Sequence, residues 1–162
     1  MRIDEELFAL ANAVGRAALA RRVRIATAES CTGGLVAGVI TAVAGSSDWF
    51  ECGYVTYSNA AKIRQLAVPP ATLERFGAVS METALAMAQG ARAAGEVQWA
   101  LAVTGIAGPA GGTPDKPVGT VCFAWAGPEG AEASRTLLPG DRAAIRRESV
   151  RVALKGLLGR LA

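Results

Sequence analysis

The chain has 162 residues, 51% of them apolar and 19% charged, with a formal net charge of +3 at pH 7. That composition excludes a disordered polypeptide and is long enough for a single domain, 1–162, with a buried core. Only 6% of residues are aromatic and the arginines are scattered, so neither a base-stacking platform nor a phosphate-tracking stripe is evident and no nucleic acid partner is expected.

Leu7, Leu10, Ala11, Val14 and Ala18 recur at helical spacing behind acidic residues, which predicts a first helix from about Asp4 to Arg22. Arg24 to Ala28 reads as a short buried strand ending at Glu29-Ser30, and Gly33 to Val43 as a helix. Ser30 therefore falls where a strand turns into a helix, a junction that aims backbone N–H groups and a positive dipole end at a ligand. Phe50 to Tyr57 is a second strand, and Asn59 to Gln65 a short helix presenting Lys62. Pro69-Pro70 break the chain, and Ser80 caps a long helix to about Ala94. Trp99 to Val103 is a third strand ending at Thr104, followed by a Gly/Pro-rich loop from Gly105 to Pro117. Gly119 to Ala126 and Ala131 to Leu138 form an antiparallel hairpin. The last helix starts near Asp141, with an apolar stripe of Val150, Ala153, Leu154, Leu157, Leu158 and Leu161. Tracing that stripe back by fours puts Arg146 and Arg142 on the inward line, and Arg147 with Arg151 on the wet face.

Helices alternating with buried strands, then a hairpin, predict an α/β fold: a three-layer α/β/α sandwich with a mixed β-sheet. Ser30 and Thr104 both fall at the carboxyl ends of strands, the rim where such sheets bind ligands. No apolar run approaches the roughly 20 residues of a membrane span. The Asp4-Glu5-Glu6 opening has the wrong charge for a leader, so the expectation is a cytoplasmic chain with no membrane partner. Exposed apolar faces on several helices point to a homo-oligomer. The three cysteines, Cys31, Cys52 and Cys122, show no paired ligand spacing, and a metal site is not expected.

The chain contains no histidine, so a serine nucleophile would need a lysine, tyrosine or carboxylate as its base. The lysines are Lys62, Lys116 and Lys155; the other cations are arginines, which hold their protons. Ser30, in Glu29-Ser30-Cys31-Thr32-Gly33-Gly34, is the leading nucleophile, although a plain helix N-cap reads equally well. Cys31 is the rival nucleophile, and small buried cysteine its blander reading. Gly33 and Gly34 either pack closely or let a phosphate or oxyanion approach the backbone. Lys62 reads as a surface lysine or as a base, the latter requiring burial or a neighbouring cation such as Arg146 to lower its pKa. Tyr57, five residues earlier, could relay the proton or merely half-fill a strand. Thr104-Gly105 could donate to an oxyanion, orient an amide, or form an ordinary turn. Lys116 sits in the Gly/Pro loop as a lid or rim residue, and Lys155 faces outward.

Together these segments resemble the CinA C-terminal domain family, whose characterised activity is deamidation of nicotinamide mononucleotide. The matching text is Ala28 to Gly34, Val55 to Asn59 with Lys62, Thr104 to Pro109, Gly111 to Pro114, Lys116 to Thr120, Gly140-Asp141-Arg142 and Arg146. Ala110 departs from the pattern, where a glycine is expected. The resemblance implies hydrolysis of a small-molecule nucleotide, nicotinamide mononucleotide, to nicotinate mononucleotide and ammonia in pyridine nucleotide salvage, with no cofactor. It implies Ser30 as nucleophile, Lys62 as base and Tyr57 as assistant. Cys31, Thr32, Gly33, Gly34, Thr104, Gly105 and Gly108 would border the substrate. Arg142 and Arg146 would hold the phosphate, with the oxyanion on N–H groups near Gly33 or Thr104-Gly105, or with those two roles exchanged. Some members carry a further N-terminal domain resembling molybdopterin-binding proteins; this sequence reads as the stand-alone form, without pyrophosphatase activity. Three alternatives compete: a nucleotide-binding module without catalysis, a serine amidohydrolase acting on another amide, and a partner in DNA uptake or recombination.

Overall fold

The computed structural model describes residues 2–162. In chain order the elements are α1 (Glu5–Arg21), β1 (Ile25–Glu29), α2 (Leu35–Thr41), β2 (Phe50–Val55), α3 (Asn59–Leu66), α4 (Pro70–Phe76), α5 (Met81–Gly95), β3 (Trp99–Gly105), β4 (Thr120–Gly127), β5 (Gly130–Leu137) and α6 (Arg142–Leu161). A single 3-10 turn, Ser46–Asp48, precedes β2. The sheet runs β2-β1-β3-β4-β5, with β1 parallel to both neighbours and β3-β4-β5 antiparallel, which is the mixed sheet expected.

Alternation along the strands divides the core in two. One face carries Ile25, Leu101, Val103, Val121, Phe123 and Trp125 and packs under α1, α2 and α6. The other carries Ala26, Ala28, Ala100, Ala102, Cys122, Ala124 and Ala126 and packs under α5, with α3 and α4 beside it. Every residue of β1 and β4 is buried, as expected of strands covered on both sides. Among the described residues no helix is long and apolar enough to cross a membrane.

Two expectations need correction. The Pro69-Pro70 pair starts α4 instead of only breaking the chain, because Pro70 occupies the first helical turn, where no N–H is needed. The helix after Ser30 begins at Leu35; Gly33 and Gly34, at φ 58° and 98°, belong to the preceding turn. Arg147, on the solvent side as expected, is not free there: it reaches across to Asp4 and Glu6 at the start of α1, while Arg151 pairs with Glu148.

Candidate active site

Ser30 opens the turn between β1 and α2. Its N–H donates to Val103 O of β3 (3.0 Å), so the Ser30 and Thr104 motifs do meet at the sheet rim. On the other side, the Thr56 N–H donates to Glu29 O (2.8 Å). The Glu29 side chain, fully buried, accepts from the N–H groups of Val36 (2.8 Å) and Ala37 (3.1 Å) in the first turn of α2. Sequence reading passed over Glu29, although a lone carboxylate in a five-residue buried strand was a signal. The Val36 and Ala37 N–H groups thus already hold a carboxylate and are not open to a substrate oxyanion. Ser30 is not the helix cap either, because Gly34 holds that position and the capping oxygens are Glu29's.

Lys62 comes from α3, whose N-cap Ser58 accepts from the Ala61 N–H (3.0 Å) and fixes the helix start. The Lys62 side chain is 1% exposed. Its Nζ donates to Ser30 Oγ (3.1 Å), Thr56 O (2.8 Å) and Tyr57 O (3.2 Å), and among the described residues it has no carboxylate partner. Burial lowers its pKa below the usual lysine value, with Cys31 opposing weakly. Burial thus does what Arg146 was expected to do. The same burial pushes the Cys31 thiol up to about 11, with Glu29 adding to the shift, which removes Cys31 as a ready nucleophile near neutral pH.

A cleft of about 290 Å³ opens over this pair, at the small end for a ligand site. Of the residues expected at the substrate, Ser30, Cys31, Tyr57, Lys62, Thr104, Gly105, Gly108 and Arg142 line it. Ala78, Val79, Ile106 and Ala107 supply an apolar wall that the sequence reading did not foresee. Thr32, Gly33, Gly34 and Arg146 are not among the residues lining this cleft, and Arg146 borders an adjoining depression that shares Ala107 and Arg142 with it. Arg146 donates back into the turn, to Cys31 O (3.1 Å) and Thr32 O (3.3 Å), and braces it from the α6 side. Thr32 is fully buried beneath it.

The Tyr57 side chain is 63% exposed, and its hydroxyl accepts from Arg142 (3.4 Å) instead of meeting Lys62; only its main-chain carbonyl does that. Thr104 Oγ1 is committed to Ala78 O (2.8 Å). Gly105 is required where a Cβ would press on the Thr120 carbonyl at 2.9 Å. Arg142 donates to Gly108 O (2.7 Å) and stands exposed at the cleft mouth. Lys116 ties the Gly/Pro loop to Phe76 O (2.8 Å), and Lys155 is exposed as expected.

Comparison with known proteins agrees with this architecture. The model of the CinA C-terminal domain matches residues 7–161. A nicotinamide-nucleotide amidohydrolase PncC from Pseudomonas putida is 55% identical over 135 residues, 83% of this chain and 84% of its own. The protein of the same name from Escherichia coli K12 is 50% identical over 155 residues, covering 95% and 94% of the two chains. The crystal structure of the competence/damage inducible protein CihA from Agrobacterium tumefaciens is 42% identical, with a TM-score of 0.95 over 98% of both chains. On this evidence the chain belongs to the CinA C-terminal domain family.

Proposed function

We propose that this chain hydrolyses the carboxamide of nicotinamide mononucleotide to nicotinate mononucleotide and ammonia, with Ser30 as nucleophile and Lys62 as its base. The observation that carries the reading is the buried Lys62 Nζ, 3.1 Å from Ser30 Oγ and without a counter-ion among the described residues. A neutral amine donates two protons, which suit the Thr56 and Tyr57 carbonyls, and its lone pair then accepts the Ser30 hydroxyl proton. The relatives named as nicotinamide-nucleotide amidohydrolases support the choice of substrate.

In this reaction Ser30 Oγ attacks the carboxamide carbon as its proton passes to Lys62 Nζ. Lys62 returns that proton to the amide nitrogen, the C–N bond breaks, and ammonia leaves an acyl-serine. A water then gives its proton to Lys62 and attacks the acyl carbon. The Ser30–acyl bond breaks, and Oγ recovers its proton from Lys62. The Cys31 N–H, next after the nucleophile and without an acceptor among the described residues, is the oxyanion donor. The Ala78-Val79 and Ile106-Ala107 walls take the pyridine ring, and Arg142 takes the phosphate at the cleft mouth.

Ammonia release from nicotinamide mononucleotide is the test. We expect turnover by the parent chain and a loss of at least about a thousandfold in Ser30→Ala. Undiminished release by Ser30→Ala would remove the serine mechanism; mononucleotide binding without release by the parent would leave a binding module.

A further inference from the structure

The first turn of α2 lacks a local cap: Gly34 at the N-cap has no side chain, and no Ser, Thr, Asp or Asn takes its place. The missing acceptor comes from Glu29, in the strand and directly before the nucleophile. A fully buried carboxylate with no lysine or arginine paired to it among the described residues is an expensive way to cap a seven-residue helix. A serine at position 34 is no substitute, because the backbone there sits at φ 98°, where a side chain is strained and the extended geometry of a capping residue is lost. The glutamate achieves something that a local cap does not. Its side chain joins the end of β1 to the start of α2 and closes a ring whose perimeter is the Ser30 turn.

The entry to that ring is held by main-chain bonds to both neighbouring strands, Thr56 N–H to Glu29 O and Ser30 N–H to Val103 O. The exit has no such bond to the sheet; Glu29 Oε1 and Oε2 on Val36 and Ala37 hold it. Arg146 pulls the two middle carbonyls outward from the opposite side. Lys62 arrives on a different element, α3, so the Ser30–Lys62 distance depends on how rigidly this turn is fixed.

We infer that Glu29 is a positioning residue for the reaction, fixing Ser30 Oγ at the Lys62 amine by tying the far end of the nucleophile turn to the strand. This rests on the reading of Ser30 as nucleophile. Glu29→Gln keeps one acceptor oxygen and turns an NH₂ toward the second backbone N–H, loosening the exit of the turn while preserving volume.

The test compares steady-state ammonia release and the rate at which a small fluorophosphonate labels Ser30, in the parent, Glu29→Gln, Ser30→Ala and Val39→Ala. Val39 is a buried α2 residue away from the turn and serves as a destabilised control. All are measured at a temperature where circular dichroism shows each variant folded; Glu29→Asp, which retracts the carboxylate by one methylene, replaces the Gln variant if that does not fold. We expect kcat of Glu29→Gln to fall on the order of a hundredfold with KM unchanged and labelling slowed in parallel, while Val39→Ala lowers the melting temperature yet keeps kcat. A kcat within about twofold of the parent, or an equal loss in Val39→Ala, overturns the inference. Full activity in Ser30→Ala instead brings down the underlying reading; an inactive Ser30→Ala beside an active Glu29→Gln brings down this one alone.

Discussion

Lys62 Nζ lies 3.1 Å from Ser30 Oγ, although 32 positions separate the two residues, and the other neighbours of that nitrogen within hydrogen-bond reach are two main-chain carbonyls. Carbonyls satisfy N–H donors without fixing a positive charge as a carboxylate would. The pair is arranged to let the lysine give up its proton, and both the activity and the stability should record that.

Activity should rise with pH along a limb set by Lys62, at a pKa below the ordinary 10.5 of lysine. The stability consequence has a definite sign. Between the folded-state pKa and 10.5 the unfolded chain holds a proton that the native chain does not, so stability climbs with pH across that window. Below the folded-state pKa the burial cost of the charged amine is present in full. Lys62→Met should therefore raise the melting temperature, by about 2–4 °C per kcal/mol relieved. The gain should be largest in mild acid and shrink toward pH 10.5. Differential scanning fluorimetry across pH checks this, and a gain independent of pH would contradict it.

The cysteines should rank by environment. Cys31, pushed up to about 11, and the buried Cys122, also raised, should resist alkylation by iodoacetamide at mildly alkaline pH. Cys52, only partly buried, should react first. Peptide mass spectrometry of the folded, alkylated chain reads the order directly.

The two arginines of α6 should separate kinetically. Arg142, without a carboxylate partner among the described residues and standing at the cleft mouth, should act in binding: Arg142→Ala should raise KM by about 10- to 100-fold, the worth of one charge-assisted contact. Arg146 turns Nε and Nη2 to Cys31 O and Thr32 O and braces the turn, so Arg146→Ala should lower kcat and leave KM nearly as it was. Steady-state kinetics of the two variants distinguish these outcomes, and a raised KM in Arg146→Ala would return that residue to the substrate.

Gly90 in the middle of α5 faces the backbone of α3. A Cβ at that position would run into the Leu66 carbonyl. Gly90→Ala, which in an open helix would stabilise by about 1 kcal/mol, should here destabilise by roughly 1–3 kcal/mol. Because α3 also carries Lys62, ammonia release should fall with it. Chemical denaturation gives the sign.

The sequence carried most of this architecture because its strands and helices differ so plainly in pattern. Short, nearly unbroken runs of small and apolar residues over Ile25–Glu29 and Thr120–Gly127 mark strands covered on both faces, and the 3.6-residue recurrence from Leu7 to Ala18 admits only a helix. The Ser30–Lys62 pairing was legible through an absence, since without histidine few bases remained. What stayed hidden depends on where side chains point. Periodicity put Arg142 and Arg146 on one line of α6, but not that one guanidinium would open on the cleft while the other turned back to the Cys31 and Thr32 carbonyls. Likewise Tyr57 was read for its phenol, while the group that meets Lys62 is its carbonyl, which every residue type possesses.

The alanines lining the α5 face of the sheet have a consequence beyond packing. Ala26, Ala28, Ala100, Ala102, Ala124 and Ala126 make a spacer one methyl thick between sheet and helix. Such a layer has almost no slack: any larger side chain there must lift α5, and through the Gly90–Leu66 contact that displacement is handed to α3 and its lysine. The alignment of Ser30 with Lys62 is thus gauged by a shim in the core, and a single added carbon at Ala102 should detune the enzyme without approaching its cleft.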